Sequence, residues 1–488
     1  MVNEIVYMDA AETAERIRAK DVSPVEVARA HLERIESVNP KLNAIVTHAP
    51  GVEERAREAE AAIMRGEVWG PLHGVPYTIK DCVDTAGIRT TQGSRLFADN
   101  VPSEDATVVK RLKAAGGIML GKTNMPEFAF WWETGNAIFG FTDNPYKKGY
   151  TAGGSSGGEA AAIATGMSPL GIGSDVGGSI RLPAGHCGVV GLKPTHGRVP
   201  LTGHHPNMLL RYMHVGPMAR SVRDIALAME VIEGPDGIDS YCVARQQSAV
   251  SSQQSARQTR NVPASGSRIG RLPTTNDQLP LRVAWCAEGG FDPVDPAVQA
   301  TVRNAAKALA DAGCAVEEVG LEWWRELDGQ TMTLSIYSAE GTQYLAPIIK
   351  GREELLAPPM QRRLKMVDPT FEDYLKANAD VDRLRARVAE LFRSYDILLL
   401  PTCPLPPLPH DTREPVVNGR TVHPRSTLRL TVPFDLTGSP AVSLPFGWTA
   451  DGLPIGVQLV GRHWEDGTVL QTAAALEVSA ERRIVNLE

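Results

Sequence analysis

Gly153-Gly154-Ser155-Ser156-Gly157-Gly158-Glu159 runs directly into Ala160-Ala161-Ala162-Ile163-Ala164-Thr165. Shortly after comes Leu170-Gly171-Ile172-Gly173-Ser174-Asp175-Val176-Gly177-Gly178-Ser179-Ile180-Arg181-Leu182-Pro183-Ala184. Gly157–Thr165 has helical composition, whereas Leu170–Gly173 is a short apolar run bounded by turn residues, as a buried strand requires. The same alternation holds on either side. Val75–Ile79 and Ile118–Leu120 predict strands, with a helix over Ala106–Ala115 between them. It returns at Leu281–Trp285, Ala297–Ala312, Asp396–Leu400, Ala441–Pro445 and Gly456–Val460. Strands alternating with helices predict an α/β fold around a largely buried sheet.

Before this region, the first 65 residues or so read as helices. Ser23-Pro24-Val25-Glu26 forms a capping box with proline at the first helical position. Val27, Ala28, His31, Leu32 and Ile35 follow at helical spacing, and Asn39-Pro40 is expected to end that helix. Another amphipathic stretch runs from Val52 to Arg65. Ala244–Gln278, rich in Ser, Gln, Arg and Thr, reads as a long exposed connection. Pro404-Leu405-Pro406-Pro407-Leu408-Pro409 reads as a stiff loop, and no fixed-period repeat is visible.

Composition excludes several classes. The 488 residues are 43% hydrophobic and 22% charged, ordinary for a globular protein with a large core. Fifty Lys and Arg against 57 Asp and Glu give a net charge of −7 without a basic stripe, which argues against nucleic-acid binding. No uninterrupted apolar stretch is long enough to span a membrane, and Met1–Lys20 carries acids throughout, unlike a secretory signal. Six scattered cysteines without a Cys-x-x-Cys pair read as free thiols, so a cytoplasmic location is expected.

Three segments carry chemistry. In Gly74-Val75-Pro76-Tyr77-Thr78-Ile79-Lys80-Asp81, a lysine ends a strand-like run. Burial there would disfavour the ammonium and create a neutral-amine base, although many such lysines reach solvent instead. In the Gly153–Glu159 loop, serines sit in a cramped turn that is no phosphate loop, since Glu159 follows Gly158 where Lys-Ser/Thr is needed. In Gly173–Ala184, two glycines before Ser179 allow successive N–H groups to face one concavity, as an oxyanion hole requires. The Gly-x-Ser-x-Gly elbow of α/β-hydrolases is absent, since Ile180 and Arg181 follow Ser179.

Taken together, Gly153 through Gly191-Leu192-Lys193-Pro194-Thr195 resembles the amidase signature family. The resemblance extends from Gly70-Pro71-Leu72-His73-Gly74 to Gly438-Ser439-Pro440-Ala441 and the Gly452–Gln458 block, and is weakest over residues 240–430. It implies one amidase domain over residues 1–488, with a central mixed β-sheet covered by helices on both faces. Within it lie N-terminal helices (1–65), a signature core (70–235), an exposed loop (244–278), a variable substrate-side region (281–430) and a C-terminal part of the core (431–488). The resemblance makes Ser179 the nucleophile, Ser155 the bridging serine at a cis peptide, and Lys80 the base. Val176, Gly177, Gly178 and Ser179 would supply oxyanion-hole N–H groups, and Ser156, Asp175 and Arg181 would orient the loops. A histidine base (His186 or His196) or a cysteine nucleophile (Cys82 or Cys187) is the rival reading; the family uses neither. No cofactor and no metal are implied.

Substrate is less legible. Some family members are the glutaminase components of amidotransferases, which release ammonia from glutamine and carry a Tyr-Asp-Gly…Arg-Tyr-Gly segment. Here Ile336-Tyr337-Ser338-Ala339-Glu340-Gly341 stands at the comparable place and does not match. Asp435, in Phe434-Asp435-Leu436-Thr437-Gly438, stands where many relatives carry Asn. Phe128, Phe130, Trp131 and Trp132 lie in a stretch that contributes to the acyl pocket in relatives, and would give it an apolar wall. The expectation is a stand-alone amidase for aryl or apolar amides, extending to carbamates or esters. The alternative is a glutamine amidotransferase component supplying ammonia within a tRNA-dependent complex. The expected partners are a small-molecule amide and, at most, a second copy of the chain in a homodimer.

Overall fold

Ile397-Leu398-Leu399-Leu400 is apolar at every position and fully buried, so both faces of its strand must be covered. They are. Ile397 and Leu399 join Val302, Ala305 and Leu309 of the helix Pro296–Asp311 on one face. Leu398 and Leu400 join Ala377, Val381 and Leu384 of the helix Phe371–Ser394 on the other. Side chains two apart share a face of a strand, and this alternation recurs along the sheet. The computed structural model in which this is seen describes residues 2–243, 280–290, 293–365 and 367–481, with 483 and 485. The connection expected over Ala244–Gln278 lies outside the described residues.

Eleven strands form the sheet. In chain order they are β1 (Ile45–His48), β2 (Pro76–Lys80), β3 (Ile118–Thr123), β4 (Leu170–Asp175), β5 (Val190–Lys193) and β6 (His214–Ala219). They continue with β7 (Arg282–Trp285), β8 (Ala315–Glu318), β9 (Ile397–Pro401), β10 (Ala441–Trp448) and β11 (Pro454–Gly461). Their spatial order is β1-β3-β2-β4-β6-β5-β10-β11-β9-β7-β8. β2 pairs in parallel with β3 and β4, and β7 with β8 and β9, while the remaining pairings are antiparallel. The sheet is therefore mixed, with helices on both faces, as expected. Among the described residues no helix is long and apolar enough to cross a membrane.

Two expectations near the N-terminus need correction. The helix capped by Ser23 runs through Asn39-Pro40 to Leu42. Pro40 sits in its last turn, where its missing N–H forgoes one i→i−4 hydrogen bond without ending the helix, and the left-handed Asn43 ends it. The Asn39 side chain accepts from Ala44 N–H at 2.9 Å and Ile45 N–H at 2.8 Å, turning the chain outward. The next segment is therefore a strand, β1, instead of continuous helical structure. At the other end of the chain, Pro404–Pro409 is loop as expected, with Leu405 buried beside Trp132.

Candidate active site

Parallel pairing brings the C-terminal ends of two strands to one place. β2 and β4 are registered Thr78 to Gly171 and Ile79 to Ile172, so Lys80 emerges beside Ser174. Lys80 is fully buried. Its Nζ lies 2.6 Å from Ser155 Oγ, 3.0 Å from Ser174 Oγ and 3.4 Å from the Ser174 carbonyl. Burial lowers its pKa from the ordinary lysine value, against the pull of nearby Cys82, Asp175 and Glu159. Such an amine is poised to exist uncharged, the condition for accepting a proton.

Ser155 follows a cis peptide bond from Gly154, just before the helix Gly157–Ala164. The Ser156 N–H donates to the Ser179 carbonyl at 3.1 Å, joining the two glycine-rich loops. Ser156 Oγ bridges to Ser174, donating to its carbonyl and accepting from its N–H, each at 3.4 Å. Lys80 and Ser156 thus both bond to Ser174, which the sequence did not single out, while Ser155 joins them through Lys80. Ser179 itself is almost buried and lines a cavity.

The loop Val176–Ser179 is held from three sides. Tyr337 donates its hydroxyl to the Val176 carbonyl at 2.5 Å, and Thr431 Oγ1 donates to the Gly177 carbonyl at 2.7 Å. Gly178 adopts φ +120°, and a Cβ there would stand 2.1 Å from Thr431 Oγ1, so only glycine fits. The four-donor expectation is corrected at this residue. The Gly178 N–H donates to the Asp175 carboxylate, three residues back in the same tight turn. Among the described residues, the N–H groups of Val176, Gly177 and Ser179 donate to no protein acceptor.

Beneath this loop lies a buried charge network. Asp175 accepts from Ile180 N–H at 3.1 Å and from Arg181 Nε at 3.0 Å. Arg181 also donates to Asp435 at 2.7 Å and to the Thr431 carbonyl at 2.9 Å. Burial opposes ionisation of Asp175, but the Arg181 guanidinium outweighs it and holds the carboxyl well below the usual range. Asp435 goes the other way: burial and the Asp175 charge push its carboxyl well above the usual range, despite Arg181 and Lys193. The surroundings thus favour the ionised form of Asp175 and disfavour that of Asp435.

All four aromatic residues expected at the acyl side line the cavity with Ser179. A regular helix or strand could not present Phe128, Phe130, Trp131 and Trp132 together. Left-handed backbone at Phe128 and Ala129, φ 54° and 59°, breaks the regular period and turns them to one side. Phe128 and Trp132 are fully buried; Phe130 and Trp131 are half-buried. Tyr337, Leu209, Met213, Leu428 and Val432 complete the apolar wall.

The rival nucleophiles and bases lie elsewhere. His186 is buried, and burial lowers its pKa to about 4. His196 is bonded through Nε2 to the Leu210 carbonyl at 2.8 Å. Burial raises the Cys82 and Cys187 thiols, which disfavours the reactive thiolate. None of the four lines the cavity.

Residues 26–470 match the Amidase family model. The chain belongs to the amidase family. This amidase is 35% identical to an acylamidase of Rhodococcus erythropolis, over 96% of its own length and 95% of the relative's. It is also 35% identical to the A-type component of the glutamyl-tRNA(Gln) amidotransferase of Moorella thermoacetica, over 98% of each chain. In structure it resembles a bacterial aryl acylamidase of the amidase signature enzymes, with TM-score 0.82 and 28% identity over 97% of this chain and 96% of that one. It is a hydrolase acting on amide bonds. Tyr337 and Thr431 escaped the sequence reading because they meet the Val176–Gly178 loop from 161 and 254 positions away. No local pattern marks such contacts.

Proposed function

We propose that this amidase hydrolyses amides with an aryl or apolar acyl group, extending to carbamates and esters, through an acyl-enzyme on Ser179. One observation carries the reading: a single cavity is lined by Ser179 and by Phe128, Phe130, Trp131 and Trp132. Neutral Lys80 takes the proton of Ser155 as Ser155 takes that of Ser179, whose Oγ attacks the carbonyl carbon. The N–H groups of Val176, Gly177 and Ser179 receive the charge developing on the carbonyl oxygen. Collapse breaks the C–N bond while the proton returns through Ser155 to the leaving nitrogen. Water then attacks the acyl-enzyme, losing its proton to the same relay, and the acid departs. The acylamidase and aryl acylamidase relatives support this choice of substrate.

A fluorophosphonate probe, with mapping of the labelled peptide, tests the nucleophile. Ser179 alone should be labelled, and Ser179→Ala should lose both labelling and turnover. Labelling of Ser155 or of a cysteine would overturn the assignment. A glutamine-hydrolysing component of a larger complex is the second reading, favoured by the equal identity to the Moorella thermoacetica protein. Isolated protein that turns over an anilide and ignores glutamine decides for the first; the reverse decides for the second.

A further inference from the structure

Among the described residues, Arg425 is the only charged side chain lining the cavity. It stands on the turn Pro424–Leu428, against the helix Gly329–Ile349. Its guanidinium lies 5.9 Å from the ring centroid of Phe130 and 5.8 Å from that of Trp131. Ring contacts engage the face of a guanidinium and leave its in-plane N–H edge available. Among the described residues no carboxylate lies within ion-pair distance of Arg425, and its side chain donates no hydrogen bond. The nearby charge that acts on it is another cation, Arg363, which is itself paired with Asp368 at 3.1 Å.

A half-buried cation facing an apolar cavity without a counter-ion is costly unless the missing anion arrives with a ligand. A planar guanidinium matches a carboxylate bidentately, and a water-poor wall strengthens the pair. Ser179 supplies one fixed point of the substrate and Arg425 a second, with the aromatic wall between. We infer that Arg425 is a specificity-determining residue that binds a terminal carboxylate on the substrate's acyl group. This rests on the Ser179 reading above and adds to its apolar acyl chain a charged end, giving ω-carboxyacyl amides, the monoamides of dicarboxylic acids.

The test pairs mono-p-nitroanilides of succinic, glutaric and adipic acids with butyryl, pentanoyl and hexanoyl p-nitroanilides of matching chain length. At the best-fitting length the wild type should favour the acid at least about 10-fold in kcat/KM. Arg425→Ala should lower that ratio about 10- to 100-fold, and Arg425→Lys should retain part of it. The preference should weaken as ionic strength rises. In parallel, free adipate should protect Ser179 from the fluorophosphonate better than hexanoate does, which needs no turnover. Equal rates and equal protection for acid and neutral partners at every length would overturn the inference. So would an Arg425→Ala variant in which both members of each pair fall together with melting temperature, which would make Arg425 a packing element. Neutral anilides turned over without any acid preference would sink this inference and leave the Ser179 reading intact. No turnover together with no labelling of Ser179 would sink the underlying reading instead.

Discussion

The hydroxyl of Tyr337 holds the carbonyl of Val176 at 2.5 Å, tying the helix Gly329–Ile349 to the loop that leads to Ser179. A trans peptide unit is planar, so its C=O and N–H point to opposite sides. Fixing the Val176 carbonyl therefore aims the Gly177 N–H the other way. Tyr337 is a positioning residue by this geometry. Tyr337→Phe keeps the ring and releases the carbonyl. Its kcat on an anilide should fall about 10-fold, less than the loss on deleting an oxyanion donor outright, with little change in KM. Steady-state kinetics beside a melting curve check this. An unchanged kcat would show that the loop holds its shape without the hydroxyl.

As the proposed base, Lys80 should set the pH dependence. Burial lowers its pKa, so the neutral, proton-accepting form becomes dominant below the ordinary lysine range. Activity should rise with pH through the free-enzyme ionisation and then level, measured as kcat/KM across buffers. Lys80→Arg should not restore activity to a Lys80→Ala background, because a guanidinium stays protonated. Lys80→Ala should slow amides more than activated esters, since only the amine needs proton delivery. Equal losses on a matched amide and ester would count against that dual role.

Asp175 and Asp435 share Arg181 but should respond oppositely to amidation. Burial and the Asp175 charge disfavour the ionised form of Asp435, so Asp435→Asn, which keeps an acceptor of the same shape for Arg181, should change stability by about 1 kcal/mol or less. Asp175→Asn removes the carboxylate whose ionised form Arg181 favours, leaving Asp435 at 2.7 Å as its remaining acidic partner, and should cost up to about 3–5 kcal/mol. The folded pKa of Asp175 lies below its unfolded value. Its contribution is therefore fully present above about pH 4 and is lost as pH falls below that. Denaturant melts of both variants across pH provide the measurement. Similar losses in the two would contradict the unequal part the two carboxyls play beside Arg181.

The aromatic wall divides by burial. Phe128 and Trp132 are fully enclosed, and alanine there should cost about 3–5 kcal/mol of stability. Phe130 and Trp131 are half-buried, and alanine there should instead cost about 1–3 kcal/mol of discrimination between an aryl amide and acetamide. The ratio of kcat/KM values and the melting temperature, read side by side, separate the two effects. If all four variants lose stability and keep the ratio, the apolar wall has no part in selecting substrate.

Much of this was legible in the chain, for identifiable reasons. Lys80, Ser155 and Ser179 lie in three glycine-containing segments that are only suggestive one by one, and it is their combination that resembles the amidase signature and marks them out. Strand positions such as Ile397–Leu400 were readable because residues buried on both faces form continuous apolar runs. Tyr337, Thr431 and Arg425 were not readable. Each owes its place to tertiary packing around the 281–430 region, where hydroxyl and guanidinium groups look like ordinary surface residues in sequence. Gly178 was misjudged for a related reason. Its composition permits an outward N–H, but the acceptor three residues earlier claims it.

Thr431 has one more consequence. It lies just beyond the turn that bears Arg425 and beside Leu428 and Val432 of the cavity, while its hydroxyl grips the Gly177 carbonyl and its own carbonyl is held by Arg181. Whatever presses on that stretch of wall also levers the Gly177–Gly178 peptide, which lies between the two proposed oxyanion donors Gly177 and Ser179. Good and poor substrates of this enzyme should therefore part company in how fast they turn over once bound, even where they occupy the cavity equally well.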